Sequence, residues 1–223
     1  MHTPSEVAAA EVKGHRERRG LTREALADAC AQHGAPHLTY AAIVNIETGR
    51  KDKDTKQRRR NITVDELAVL AKCLGVPPVA LLFPVGRVDA VQPLPGRTVP
   101  TWDALRWFTG EAALPVDQGE DAPRRWAVEQ DDFAEWSADR AGLTSYRWHD
   151  RYLDEWHQDQ QAATQARSEA DREEAEQRAT SAETKLWEQR TRLRGLGLEL
   201  PELPTELRHI DAADYRPNWG NLR

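Results

Sequence analysis

From Thr144 to Arg194 the chain holds neither glycine nor proline, about fifty residues without a helix breaker. Gly142 stops the helical pattern just before, and Thr144 is the expected N-cap. Trp148, Tyr152 and Trp156 recur every fourth residue and so share one helix face. Ala162, Ala163, Ala166, Ala170, Ala175, Ala179, Ala182, Leu186 and Leu193 continue a thin apolar stripe among charges. Glu174 with Arg178, and Glu188 with Arg192, are i,i+4 pairs worth about 0.2–0.5 kcal/mol each. So little apolar surface does not sustain a lone helix of this length in water. The expectation is a long helix over 144–194 that finds a partner, either in a dimeric coiled coil or in a helical hairpin. The stripe lacks clean leucine heptads, so register and strand number stay open.

The segments before this helix are shorter. Residues 101–143 read as aromatic-rich short helices, with Trp102, Leu105, Trp107 and Phe108 in one and Phe133 and Trp136 in another that begins near Trp126. Residues 84–100 carry Pro84, Pro93, Pro95 and Pro100 with Gly86 and Gly96, the composition of a semi-rigid linker. Residues 1–83 show five short helical patterns: 6–19 with Ser5 as N-cap, one after Thr22, 40–48 after Thr39, one after Thr63 with Glu66 at the reciprocal capping position, and a last one after Pro77-Pro78. The tail, 195–223, has three prolines and scattered apolar residues, and either packs on the long helix or stays disordered. The fold class expected is all-α.

Charge divides the chain. Residues 1–100 hold 15 Lys/Arg against 11 Asp/Glu, a net +4, and residues 101–223 hold 16 against 26, a net −10. The basic excess concentrates in RKDKDTKQRRRN at 50–61, which has no apolar residue to anchor it and a net +5. A basic N-terminal half joined to an acidic helical half suits a nucleic-acid module attached to an assembly region. No run of 18 uncharged apolar residues exists, and charges arrive too early for a secretory signal, so no membrane partner and a cytoplasmic location are expected. Cys30 and Cys73 lie in apolar helical contexts and read as buried thiols of a reducing compartment. Neither has metal-ligand spacing, no glycine pattern cradles a phosphate, and His149 and His157 read as solvated helix surface. No metal, cofactor or catalysis is expected.

The ordered residues VKGHRERRGLTREALADAC, LTYAAIVNIETGR and ITVDELAVLAKCLGVPPVALL resemble the phage-repressor-like helix-turn-helix family, also called the xenobiotic-response-element family, over residues 6–83. The resemblance implies a five-helix lambda-repressor-like domain that binds double-stranded DNA. It implies a structural pair between Arg16 and Glu47, and base-facing positions at Tyr40, Ala41, Val44 and Asn45 on the third helix. Asn45 suits adenine, while Ala41 and Val44 suit thymine methyl groups. Arg23 and Thr39 at helix starts, and Arg50 and Lys51 after the third helix, are the expected phosphate contacts, joined by Lys53, Lys56, Arg58, Arg59 and Arg60. Two departures stand out: the turn at 33–38 is about five residues longer than the family's, and the 52–60 loop is longer and more basic. Residues 84–223 resemble no family.

The function expected is a sequence-specific regulator, a homodimeric repressor reading two half-sites in the major groove, in a bacterial or phage setting and nucleoid-associated when bound. Two other classes compete with it. One is a helical interaction or scaffold module that no longer reads DNA. The other is a regulator gated by a small-molecule or protein effector through an aromatic pocket in 102–156, around Trp136, Trp148, Tyr152 and Trp156.

Overall fold

The computed structural model describes residues 3–49, 60–115 and 134–217. The chain divides into two compact units, Met1–Asp117 and Gln118–Arg223. Among the described residues both are built of helices, and the sheet is a single two-stranded hairpin with no closed sheet.

Five helices open the first unit: α1 Pro4–Arg18, α2 Arg23–Gln32, α3 Tyr40–Thr48, α4 Val64–Leu74 and α5 Pro78–Leu82. Threonine hydroxyls cap the first four. Thr22, Thr39 and Thr63 accept from the backbone N–H groups of Ala25, Ala42 and Glu66. For α1 the cap is Thr3 rather than Ser5, because Pro4 fits the first helical position, where no N–H is needed, and Glu6 closes a capping box with Thr3. Gly49 and Gly75 end α3 and α4 in the left-handed region, at φ 61° and 56°. The inner faces converge on one core of Val12, Leu26, Cys30, Leu38, Ile43, Leu70, Leu74 and Leu81, all fully buried. Cys30 and Cys73 are free thiols. Burial, with Cys73 beside it, pushes the Cys30 thiol up to about 12, which keeps it protonated and unreactive.

The stretch expected as a linker is folded. β1 Ala90–Leu94 and β2 Arg97–Pro100 pair antiparallel, Val91 opposite Val99, around a turn at Pro95-Gly96, and α6 Thr101–Phe108 follows directly. Val91, Val99 and Ala104 close a second apolar cluster with Val7 of α1 and Phe83. The Thr101 hydroxyl and amide donate to the carbonyls of Val88 and Asp89, fastening the start of α6 to the residues that lead into β1. Pro95 and Gly96 form the hairpin turn and Pro100 ends β2, while Pro93 lies in the irregular part of β1 and Pro84 and Gly86 in the turn before it, positions where a missing N–H or a positive φ is tolerated. The first unit therefore runs past Phe83.

In the second unit the expected single long helix is two. After helical turns at 134–139, α7 spans Ala141–Gln165 and α8 spans Glu169–Gly195, packed antiparallel as a hairpin. The chain breaks at Ala166, whose ψ of 137° is extended, and restarts at Ser168, whose hydroxyl accepts the Asp171 N–H. The alanine stripe at Ala175, Ala179 and Ala182, with Leu186 and Leu193, is thus buried within the same chain. That stripe is the reason to expect a dimer, and it requires no second copy. The tail packs on the hairpin as well. A 3-10 turn, Thr205–Asp211, buries Leu207 and Ile210 against Trp156, Ala179, Ala182 and Leu186.

Truncation tests the β-hairpin's contribution. A chain ending at Phe83 exposes Val7 and Phe83, whose burial is worth about 1.5–3 kcal/mol each. Its thermal midpoint is expected below that of a chain ending at Asp117, by about 4–8 °C for each kcal/mol of stability removed. Equal midpoints by circular dichroism refute that contribution.

Candidate functional site

The best-defined polar constellation of the first unit sits where α1, α2 and α3 meet. Arg16 on α1 donates from Nε to Glu47 Oε1 at 2.5 Å and from Nη2 to Glu47 Oε2 at 2.9 Å, while its Nη1 donates to the carbonyl of Leu21 at 2.9 Å. Arg23, at the start of α2, donates from Nε to Glu47 Oε2 at 2.8 Å. One carboxylate near the end of α3 thus receives two guanidinium groups. The Glu47 carboxylate is fully buried, and Arg16 nearly so. Burial pushes the Glu47 carboxyl up, but hydrogen bonds and charge from Arg16 and Arg23 outweigh it and hold the carboxyl below its ordinary range. Bidentate geometry makes Arg16–Glu47 a stiff tie rather than a loose ion pair.

With that tie in place, α3 buries Ala42, Ile43 and Ile46 and leaves Tyr40, Ala41 and Asn45 exposed, with Val44 half-buried at the edge. Tyr40 is 48% exposed, the most accessible large side chain of the helix. Thr39 is exposed, and its hydroxyl oxygen serves as the N-cap. The cationic residues divide. Arg23 is held by Glu47, and Arg60 is held by the buried Glu66, whose Oε1 also lies 3.8 Å from His37 Nε2. Arg50, Lys51, Lys53, Lys56, Arg58 and Arg59 lie outside the described residues.

The aromatic residues of 102–156 are divided between the two units. Trp102 and Trp107 belong to the first unit, Trp136, Trp148, Tyr152 and Trp156 to the second, and Trp126 lies outside the described residues. Trp156 is buried in the hairpin, and its Nε1–H donates to Glu183 at 3.1 Å. Trp148 is 38% exposed and stacks on Tyr152, with rings 5.4 Å apart, under the Arg151 guanidinium. Arg140 lies over the Trp136 ring. A depression beside α7 is lined by Arg147, Asp150, Arg151, Asp154, Glu155 and Gln158, with no aromatic side chain among them.

His149 departs from its expectation. Rather than solvated, it is fully buried, and its Nε2 lies 3.0 Å from Arg190 Nη1. His157 is exposed. The partner of His149 is 41 residues away, so no local spacing rule reaches it. Among the described residues, no group of three or more His, Cys, Asp or Glu side chains is arranged to hold a metal, and no helix is long and apolar enough to cross a membrane.

Glu47→Gln removes the charge shared by Arg16 and Arg23. Breaking a buried pair from one side costs about 3–5 kcal/mol, and the urea midpoint at pH 7 is expected to fall accordingly. Because the folded pKa of Glu47 is depressed, its stabilisation is present above the unfolded value near 4.5 and is lost as the pH falls through the folded value. The stability gap between wild type and Glu47→Gln therefore narrows from pH 7 to pH 3. A gap that stays constant across that range shows that Glu47 is not the titrating group.

Comparison of the chain with protein-family models, with curated proteins and with solved structures finds no match.

Proposed function

We propose that residues 6–83 are a phage-repressor-like helix-turn-helix module and that the chain is a sequence-specific DNA-binding regulator. The observation that carries this is the Arg16–Glu47–Arg23 tie, which fixes the angle of α3 while leaving Tyr40, Ala41 and Asn45 on an outward face. A helix reads the major groove only when neighbouring helices brace it. In the proposed complex α3 lies in the groove, with Asn45 on adenine and Ala41 and Val44 on thymine methyl groups. The Thr39 hydroxyl, already accepting from Ala42, retains its O–H to donate to a phosphate. The cationic stretch at 50–60 supplies further phosphate contacts. Two copies reading two half-sites, and repression by occupying a promoter, complete the proposal.

A second reading has its own support. The chain is a multi-helix protein whose second unit is a charged helical hairpin with Leu143, Trp148, Leu196 and Leu198 exposed, an architecture suited to a scaffold or interaction module. Arg23 and Arg60 are both paired with buried carboxylates, which suits a module that no longer reads DNA.

Selection of bound fragments from a random DNA pool by the full-length chain separates the two. The DNA reading expects a discrete inverted-repeat motif. Asn45→Ala is expected to relax one base position by about 1–3 kcal/mol. Neutralising Lys53, Lys56, Arg58, Arg59 and Arg60 is expected to weaken all sequences alike, and to flatten the salt dependence by about 0.9 for each phosphate left unneutralised. Well-folded protein that enriches no motif at low or physiological salt overturns the DNA reading in favour of the interaction module.

A further inference from the structure

In the second unit, a buried polar network fastens the tail to the helical hairpin. Arg190 of α8 is only 3% exposed and spends its guanidinium on three groups. Nε and Nη2 donate to Asp211 Oδ1 and Oδ2 at 2.8 and 2.5 Å, and Nη1 donates to the Pro201 carbonyl at 2.8 Å and faces His149 Nε2 at 3.0 Å. Arg194 also reaches Asp211. Asp211 and Pro201 belong to the tail, and His149 belongs to α7, so one guanidinium joins all three segments.

Arginine carries only donors and stays charged at any physiological pH. His149 Nε2 must therefore be the acceptor, and the ring is the neutral tautomer with its proton on Nδ1. That Nδ1 is buried, has no hydrogen-bond partner, and lies 3.7 Å from the exposed Asp150 carboxylate. The lone pair that holds Arg190 is the same one that accepts a proton in acid. We propose that His149, Arg190 and Asp211 form an acid-operated latch, in which protonation of His149 Nε2 by solvent displaces Arg190 and releases residues 201–211 from the hairpin.

The charges around His149 set the direction. Burial and Arg190 on α8 oppose its protonation, Asp150 on its own helix and Asp211 on the tail favour it, and the balance holds it below 6.5. The released chain therefore takes up a proton more readily than the latched one. Release is promoted as the pH falls below about 6.5, until the latched value is reached. Burial raises the Asp211 carboxyl, but the hydrogen bonds and charge of Arg190 and Arg194 outweigh this and hold it below 3.8, so it acts in a more acidic range. His209 lies on the same tail segment, 3.4 Å from Glu183, and becomes attractive to it when protonated. This pair opposes release, but half of the His209 side chain is exposed and the pair is weak. Release uncovers Leu207 and Ile210 and the face of Trp156, Ala179, Ala182 and Leu186 beneath them.

Hydrogen exchange of the full-length chain at pH 7.5 and 5.5, corrected for the intrinsic effect of pH, tests the latch. Protection of amides in 203–215 is expected to fall at pH 5.5, by up to about tenfold for one histidine that takes up a proton on release, while that of α1–α5 holds. His149→Gln keeps an acceptor oxygen for Arg190 and does not titrate, so its tail stays protected at both values. Unchanged wild-type protection, or an equal loss in His149→Gln, overturns the proposal. Should His149→Gln fail to fold, magnetic resonance titration of wild-type His149 decides. Its midpoint must coincide with the loss of protection, and a ring that remains neutral while the tail is released overturns the latch.

Discussion

A carboxylate buried without partners would cost many kcal/mol, and the side chain of Glu47 is fully buried. Its position is tolerable only because Arg16 and Arg23 arrive from two other helices with three charge-assisted hydrogen bonds. The requirement runs in both directions. Arg16, itself nearly buried, needs Glu47 and the Leu21 carbonyl to satisfy its fork. Hydrophobic packing of Leu26, Ile43 and Ile46 is non-directional and accepts small rotations of α3, whereas a bidentate pair does not. The apolar core supplies most of the stabilisation, and the ionic tie selects which face of α3 is outward.

The second unit solves a related problem with the same chemistry. Its hairpin buries Ala175, Ala179 and Ala182 along one stripe, and alanine offers little area per residue but lets helices approach closely. The deficit is met by the tail, which adds Leu207 and Ile210 to the cluster around Trp156. The irregular stretch ahead of the 3-10 turn leaves backbone carbonyls without helical partners and needs a polar anchor. Arg190 provides it by taking the Pro201 carbonyl and the Asp211 carboxylate together. The two anchors differ in one respect. Glu47 is held by permanently charged arginines, whereas the Arg190 network includes a histidine, whose charge changes near neutral pH.

Legibility in the sequence follows the range of the interaction. The caps Thr22, Thr39 and Thr63 and the stops Gly49 and Gly75 are local devices that a few neighbouring residues specify, and these helices are readable to within a residue or two. The β-hairpin is not readable, because Pro93, Pro95 and Gly96 look alike in a turn and in a linker until Val91 and Val99 are seen to share a core. The break at 166–168 contains no glycine or proline. Its one signal is Ser168 three residues before Asp171, a helix-start pattern inside what reads as continuous helix. The pairing of Arg16 with Glu47, 31 residues on, enters through the family resemblance alone. The buried His149 network has no sequence signal, since a histidine among Arg147, Asp150 and Arg151 has the surroundings of a surface residue.

The charge distribution constrains how a DNA reading would work. With Arg23 and Arg60 paired to buried carboxylates, each must exchange an internal partner for a phosphate before it contributes to binding. Such an exchange replaces one ion pair by another and yields less than a free surface cation would. The net −10 of residues 101–223 adds a long-range repulsion from the phosphate backbone. Both effects depress non-specific affinity more than specific affinity, because the base contacts assigned to Asn45, Ala41 and Val44 involve no net charge. A regulator built this way gains discrimination from weak background binding and depends on the uncharged face of α3 for its sequence preference.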